Sequence, residues 1–561
     1  MSAPSAPSAP RTPPSPPPPA ATAEQARALR EDLAASGWGV ESTRRLLGPV
    51  ADDALRREIR LPALRAVRTT LADSRATGAA PAPVAVLTAL FMLGERVPAG
   101  ELDAALPRTG AEGALAMGLV HPVGAGGADA AAPPSDPEPL PAAVRAAVDL
   151  RPHEAVDDAG DVRWWIASDL GELTTGCELA PDHVLGIGGA GLTLAGLTPR
   201  APVAAALDLG CGCGIQTLYL LRHADRVTAT DISARALAFT AFNAALAGTG
   251  PDRLELVRGS LLEPLAGRDF DLIATNPPFV LTPPAVREAG LPLMEYRDAG
   301  TPVLPALVPA VGEHLRPGGT AVMLGNWEHH RGHDWRERVR AWLPDDLDAW
   351  VVQRERQDPV EYAAMWLRDG GTTPERDEAA FNARLGAWID DFAARGIEAV
   401  GLGYLIVHRP GPDDGGREPW RVLEEVGAAP SGPLGEHVAQ VIAARSRLAA
   451  MSDDDVAALH PVVAPDVTQE RHLRPGASDP TVILIRQGGG LGRTVRADTA
   501  LAALVDVADG ELSVAQIAGA VAALTGQTGL TGPAGAEAEA LRADLVAATR
   551  ALAGDGFLTL R

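Results

Sequence analysis

VAAALDLGCGCGIQTLYLL, residues 203–221, decides how this chain is read. An apolar run from Val203 to Leu207 ends in Asp208, and Gly210, Gly212 and Gly214 follow before an amphipathic stretch. That order predicts a buried parallel strand, a tight glycine turn where backbone must approach a ligand, and a helix. Twenty-three residues past Asp208, a second strand pattern, RVTATD, ends in Asp231, an acid placed to accept both hydroxyls of a ribose. Ser233 then caps a helical stretch, ARALAFTAFNAALAG. A third strand pattern, LELVRG, leads into Ser260 and Leu261, and a fourth, FDLIAT, delivers Asn276-Pro277-Pro278-Phe279. A glycine loop alone suits several nucleotide-binding enzymes. A nicotinamide dehydrogenase would share it but leaves the asparagine–proline turn unexplained.

DLGCGCG, Asp231 and NPPF together resemble the class I S-adenosylmethionine-dependent methyltransferases, in the branch with (N/D)PP(Y/F) after the fourth strand (HemK-like, or small-domain, methyltransferases). The resemblance runs from about Leu185 to Arg409, under half the chain. It implies an α/β domain with a Rossmann-like seven-stranded sheet and S-adenosyl-L-methionine (AdoMet) as cofactor. Asp208, Gly210, Gly212 and Gly214 would lie at its methionine and ribose side, Asp231 on the ribose hydroxyls, and Ser260 with Leu261 near adenine. Many relatives carry Asp where Ser260 stands. Asn276, Pro277, Pro278 and Phe279 would form the catalytic turn, with Asn276 also bordering the cofactor; no metal is implied. Release-factor glutamine methyltransferases mostly have Tyr where Phe279 stands, and Phe is common in relatives that methylate ribosomal RNA bases.

The motif also has a chemical reading. An amide or aromatic amine nitrogen is a poor nucleophile because its lone pair is delocalised. Two acceptors, the Asn276 side-chain oxygen and the Pro277 carbonyl, can bind both N–H groups and turn that lone pair toward a sulfonium methyl. Two prolines stiffen the turn and bring no competing N–H, and Phe279 can lie against the planar group. The leaving group is already cationic, so catalysis reduces to positioning and oriented dipoles.

Around this centre, 561 residues make three to four domains' worth of chain. Every one of the 49 basic residues is arginine, which excludes lysine Schiff-base chemistry and a P-loop lysine and fits a GC-rich bacterial coding bias. A net charge of −23 argues against sequence-independent duplex binding. Three cysteines, no signal-peptide pattern and no apolar run of membrane-spanning length predict a cytoplasmic protein without a membrane partner.

Residues 1–20 read as a proline-rich disordered tail, and 21–160 as a helix-rich, winged-helix-like domain. Residues 161–410 are the methyltransferase-like domain, 411–435 a polar linker, and 436–561 a helix-rich α+β domain with a small sheet. Gly186 to Gly191 fits GxGxxG, but the next strand is already that of Val203, so it reads as a flap near the cofactor's methionine end. Cys211 and Cys213 owe their spacing to the glycine loop. His329, His330 and His333 with Glu328 read as a loop after a strand, with no function assigned. The stretch from Glu355 to Arg395, with Tyr362, Trp366, Phe381 and Trp388, reads as an inserted packing unit or a substrate lid.

The expected function is AdoMet-dependent N-methylation of a macromolecule, because the flanking domains exceed what a small substrate needs. The VLTPP continuation and the acidity favour protein glutamine; Phe279 favours an RNA base. A non-catalytic AdoMet sensor that binds nucleic acid would show an eroded NPPF and a basic recognition helix, and neither is seen.

Overall fold

The computed structural model describes residues 16–123, 142–157, 160–176, 179–288, 302–414, 416–428, 430, 432–524 and 533–561. Its centre is a mixed sheet of β1 (Val203–Leu209), β2 (Ala224–Asp231), β3 (Leu254–Arg258), β4 (Phe270–Thr275), β5 (Leu315–His330), β6 (Asp348–Gln357), β7 (Ile397–His408) and β8 (Arg421–Glu425). In space the order is β8-β6-β7-β5-β4-β1-β2-β3. β3, β2, β1, β4 and β5 run parallel, β7 is antiparallel to both β5 and β6, and β8 runs parallel to β6.

The sheet thus has eight strands where seven were expected. The eighth, β8, comes from RVLEE inside the expected linker. Its residues are only half-buried at the sheet edge, so it lacks the apolar signature of an inner strand.

The carboxyl ends of β1, β2 and β4 meet at one edge, where open α/β sheets bind ligands. The helices around that edge are α1 (Gly189–Leu197), α2 (Ile215–Leu220) and α3 (Ala234–Ala247). Ser233 accepts from Ala236 N at the start of α3, and left-handed Gly248 ends it. A helical hairpin, α4 (Pro359–Asp369) and α5 (Glu378–Ala394), fills the connection from β6 to β7. Asp358 and Asp377 cap its two helices. Tyr362, Phe381, Trp388 and Phe392 pack inside it against Val280 and Val286, just beyond NPPF.

In the N-terminal part, helices from Ala23–Ala35 to Gly110–Ala116 surround a small antiparallel sheet of Val97–Pro98, Ala143–Ala146 and Val120–Pro122. Asp149–Asp157 then pairs with Gly160–Ser168 in a hairpin that straddles the expected boundary at 160. Of the expected disordered tail, residues 1–15 lie outside the described residues. Residues 16–20 are docked: Ala20 N donates to Met117 O, Arg235 Nη1 donates to Pro16 O at 2.6 Å, and Pro19 is buried. After β8, α6 (Gly435–Ala449) begins with Leu434 N donating to Gly196 O, the carboxyl-terminal turn of α1. Beyond α6, the described residues hold a three-stranded sheet (Val467–Leu473, Pro480–Gln487, Thr494–Ala497) and four further helices, Asp453–Ala458, Thr499–Asp506, Val514–Leu524 and Pro533–Gly554. Among the described residues no helix is long and apolar enough to cross a membrane.

Candidate active site

A cavity of about 480 Å³ opens at the carboxyl edge of β1, β2 and β4. Gly210, Gly212, Asp231, Ser260, Leu261, Asn276 and Pro278, all singled out from sequence, line it. No atom lies within 4 Å of where a Cβ would stand on Gly210 or Gly212, so the loop presents bare backbone to open space. Asp231 ends β2 with its carboxylate pinned: Oδ2 accepts from Gly212 N at 3.0 Å and Oδ1 from Ser233 N at 2.9 Å. Each oxygen keeps lone-pair capacity for a ligand hydroxyl. Burial raises its pKa, opposed by those amides and that of Ile232. Leu261 is held at φ +46°, a conformation an L side chain adopts at a cost of order 1–3 kcal/mol. With exposed Ile232 it gives the cavity apolar lining beside Asp231.

Two of the expected cofactor residues are not at the cavity wall. Asp208 is buried beneath the loop, where Oδ2 accepts from Thr217 Oγ1 at 2.5 Å; it supports the turn rather than facing a ligand. Gly214 faces α3, and a Cβ there would stand 3.0 Å from both Thr240 Cγ2 and Oγ1 and 3.1 Å from Thr240 Cα. With φ at +86° as well, Gly214→Ala is expected to cost about 1–3 kcal/mol, seen as a lower thermal midpoint.

Burial pushes the Asp208 carboxyl up to about 7 from 3.8, against the Thr217 hydrogen bond. A raised folded-state value means that this group's stabilisation is complete below about pH 3.8 and is lost as pH rises through about 7. Asp208→Asn should therefore gain stability relative to wild type between pH 5 and pH 8. Urea midpoints of both proteins at the two pH values check this, and an unchanged gap contradicts it.

The NPPF turn leaves β4 directly into the cavity. The Asn276 side-chain oxygen is shielded from solvent and has no hydrogen-bond partner among the described residues. Asn276 lines the cavity, and its side-chain oxygen is a buried acceptor whose hydrogen bond is unmade among the described residues, a group that gains from a donor brought to it. Pro277 is buried and does not line the cavity. Phe279 lies on a separate small cavity of about 30 Å³ with Asn326, Glu328 and Arg338.

His329 and His330 are inside β5, not in a loop. His329 Nε2 pairs with Gln353 Oε1 at 2.8 Å and His330 Nε2 with Glu328 Oε2 at 2.9 Å. Glu328 also takes Arg338 and Arg395, so the cluster is an ion-pair network. Among the described residues no group of His, Cys, Asp and Glu could hold a metal.

The structure adds residues that sequence reading missed. His183 lines the cavity from the segment before the Gly186 flap, whose Gly186, Gly188 and Gly191 also border it. Arg235 joins that segment through Asp169: Arg235 Nε donates to Asp169 Oδ2 at 2.8 Å, and Val184 N donates to the same oxygen at 2.8 Å. Asn243 on α3 is fully buried and donates to Cys213 O in the glycine loop at 2.7 Å and to Ala167 O at 2.8 Å, while its oxygen accepts from Ala167 N. No motif points to Asn243, because its partners lie 76 and 30 residues away.

Residues 189–290 match the family described as the methyltransferase small domain, and residues 35–132 match a domain of unknown function, DUF7059. A release factor glutamine methyltransferase of Geobacter sulfurreducens is 41% identical over 133 residues, covering 21% of this chain and 45% of that protein. Ribosomal RNA small subunit methyltransferase C of Alcanivorax borkumensis is 31% identical over 122 residues, 22% of this chain and 32% of that one. The chain thus spans less than half the length of these two curated relatives. The fold is a methyltransferase-like α/β architecture around a large mixed sheet.

Proposed function

We propose, from a chain whose residues 189–290 form a methyltransferase small domain, that this protein is an AdoMet-dependent N-methyltransferase acting on a planar amide or amine nitrogen of a macromolecule. The observation that carries the reading is that Asn276, whose side-chain oxygen has no partner among the described residues, lines the same cavity as Gly210 and Asp231.

The residues present fit the cofactor. Bare backbone at Gly210 and Gly212 leaves room for close approach, the pinned Asp231 carboxylate can take two ribose hydroxyls, and Ile232 with Leu261 suit a flat heterocycle. When bound, AdoMet supplies an electrophilic methyl on a cationic sulfur. The chain's part is orientation. Asn276, at the cavity wall, would accept an N–H of the acceptor nitrogen and help turn its lone pair out of conjugation; the parts expected of the Pro277 carbonyl and Phe279 require the turn to move, since neither lines this cavity. No residue needs to act as a strong base before transfer, because the proton becomes acidic once the nitrogen is methylated.

Protein glutamine is the acceptor we favour, in line with the release-factor methyltransferases among the relatives and the acidic chain. Phe279 and the ribosomal RNA relative support an RNA base amine as a second reading. Incubating the protein with methyl-labelled AdoMet and lysate from a strain lacking the gene decides between them: label enters protein in the first case and RNA in the second. Label in neither fraction, with intact cofactor binding, favours a non-catalytic sensor.

A further inference from the structure

We propose that Tyr362 is a positioning residue for methyl transfer, its hydroxyl fastening the NPPF turn to the α4–α5 hairpin so that the Asn276 acceptor stays in register. The inference rests on the methyltransferase reading above.

The hairpin lies outside the matched stretch 189–290, yet it touches the turn at two points. Tyr362 is fully buried, and its hydroxyl oxygen accepts from Leu281 N at 3.2 Å and from Asn326 Nδ2 at 2.7 Å. Leu281 lies two residues past Phe279, and Asn326 is a buried residue of β5. One hydroxyl therefore joins the inserted hairpin, a central strand and the segment leaving the turn. Four residues along α4, on the same face, Trp366 meets Phe279 edge-to-face, with centroids 6.4 Å apart and planes at 77°. Val280 completes the contact by packing into the hairpin's own core.

The turn needs such an external hold. Pro277 and Pro278 have no N–H, so neither can tie the turn to the sheet through an amide. The Asn276 oxygen has no partner of its own among the described residues. Removing the Tyr362 hydroxyl would strand the Leu281 N–H and the Asn326 amide, and the segment would shift to find other partners. A displacement near 1 Å at a group whose work is orientation costs roughly 100-fold in rate.

The test uses the full chain, with Tyr362→Phe and, as a control, Trp388→Phe. Trp388 is buried in the same hairpin core, but its indole N–H has no hydrogen-bond partner among the described residues. Three quantities are measured: single-turnover methyl transfer from labelled AdoMet to lysate acceptors, S-adenosylhomocysteine affinity, and thermal midpoint. Tyr362→Phe is expected to transfer about 10- to 100-fold more slowly while product affinity stays within about twofold. Trp388→Phe is expected to keep the wild-type rate below its midpoint even where that midpoint falls. Wild-type transfer by Tyr362→Phe, or rate losses in both variants that track their midpoints, overturns the positioning role. A wild-type protein that binds S-adenosylhomocysteine yet labels no acceptor overturns the methyltransferase reading instead, and this inference with it.

Discussion

Asn276→Ala should lower methyl transfer by about 100- to 1,000-fold, equivalent to about 2.7–4 kcal/mol of barrier, and leave S-adenosylhomocysteine binding nearly intact. The expectation follows from where Asn276 is, just past the end of β4 and on the cavity wall, with a side-chain oxygen that has no partner among the described residues. Deleting an acceptor that bonds nothing among the described residues costs little stability, so the loss should fall on turnover. Asn276→Asp keeps an oxygen in place and should retain more activity than the alanine variant. Isothermal titration separates binding from chemistry, and labelled transfer to lysate acceptors gives the rate. Near-normal turnover by Asn276→Ala would remove the side chain from the reaction.

The second large effect is on stability. Arg417→Met should destabilise the protein by about 3–5 kcal/mol, because it leaves the Asp348 carboxylate buried without its cation. Both side chains are within 3% of complete burial. Arg417 donates Nη1 to Asp348 Oδ1 at 2.7 Å, and Nη2 to Asp348 Oδ2 at 2.6 Å and to Ser446 Oγ at 2.9 Å. Trp420 N also donates to Asp348 Oδ1, at 3.0 Å. The pair thus joins the first residue of β6, the chain entering β8, and α6. Replacing both partners by apolar residues should recover most of the loss. Chemical unfolding of the single and double variants checks both statements, and a loss below about 1 kcal/mol for Arg417→Met contradicts the first.

How far the sequence could be read depended on how local the signals were. Strands β1 to β4 were legible because each is a short stretch followed closely by a recognisable motif residue, and Gly210, Asp231, Ser260 and Asn276, at or just past their ends, all line the cavity. Asp208 and Gly214 were legible as motif members but not in their roles: spacing says that a turn exists, not which of its residues face inward. Arg417 was hidden in RPGPDDGGREP, which looks like a solvated connection, because its partner lies 69 residues upstream. RVLEE was hidden for a related reason, since an edge strand carries charge on both sides. Tyr362 read as packing or as part of a substrate lid, and not as a hydrogen-bonded fastening, because a hydroxyl's partners leave no periodicity.

The three hydrogen bonds of Asn243 limit how this protein can be cut into pieces. They cross-link the glycine loop to Ala167 through α3, so that loop's scaffold includes a hairpin that begins at Asp149, forty residues ahead of the matched methyltransferase stretch. An excised fragment starting at residue 189 would carry every recognisable motif and still leave a buried amide without its counterpart and a glycine loop without its brace. The smallest self-standing unit around the glycine loop is therefore larger than its sequence signature, and shortened expression fragments should keep the chain from at least Asp149 onward.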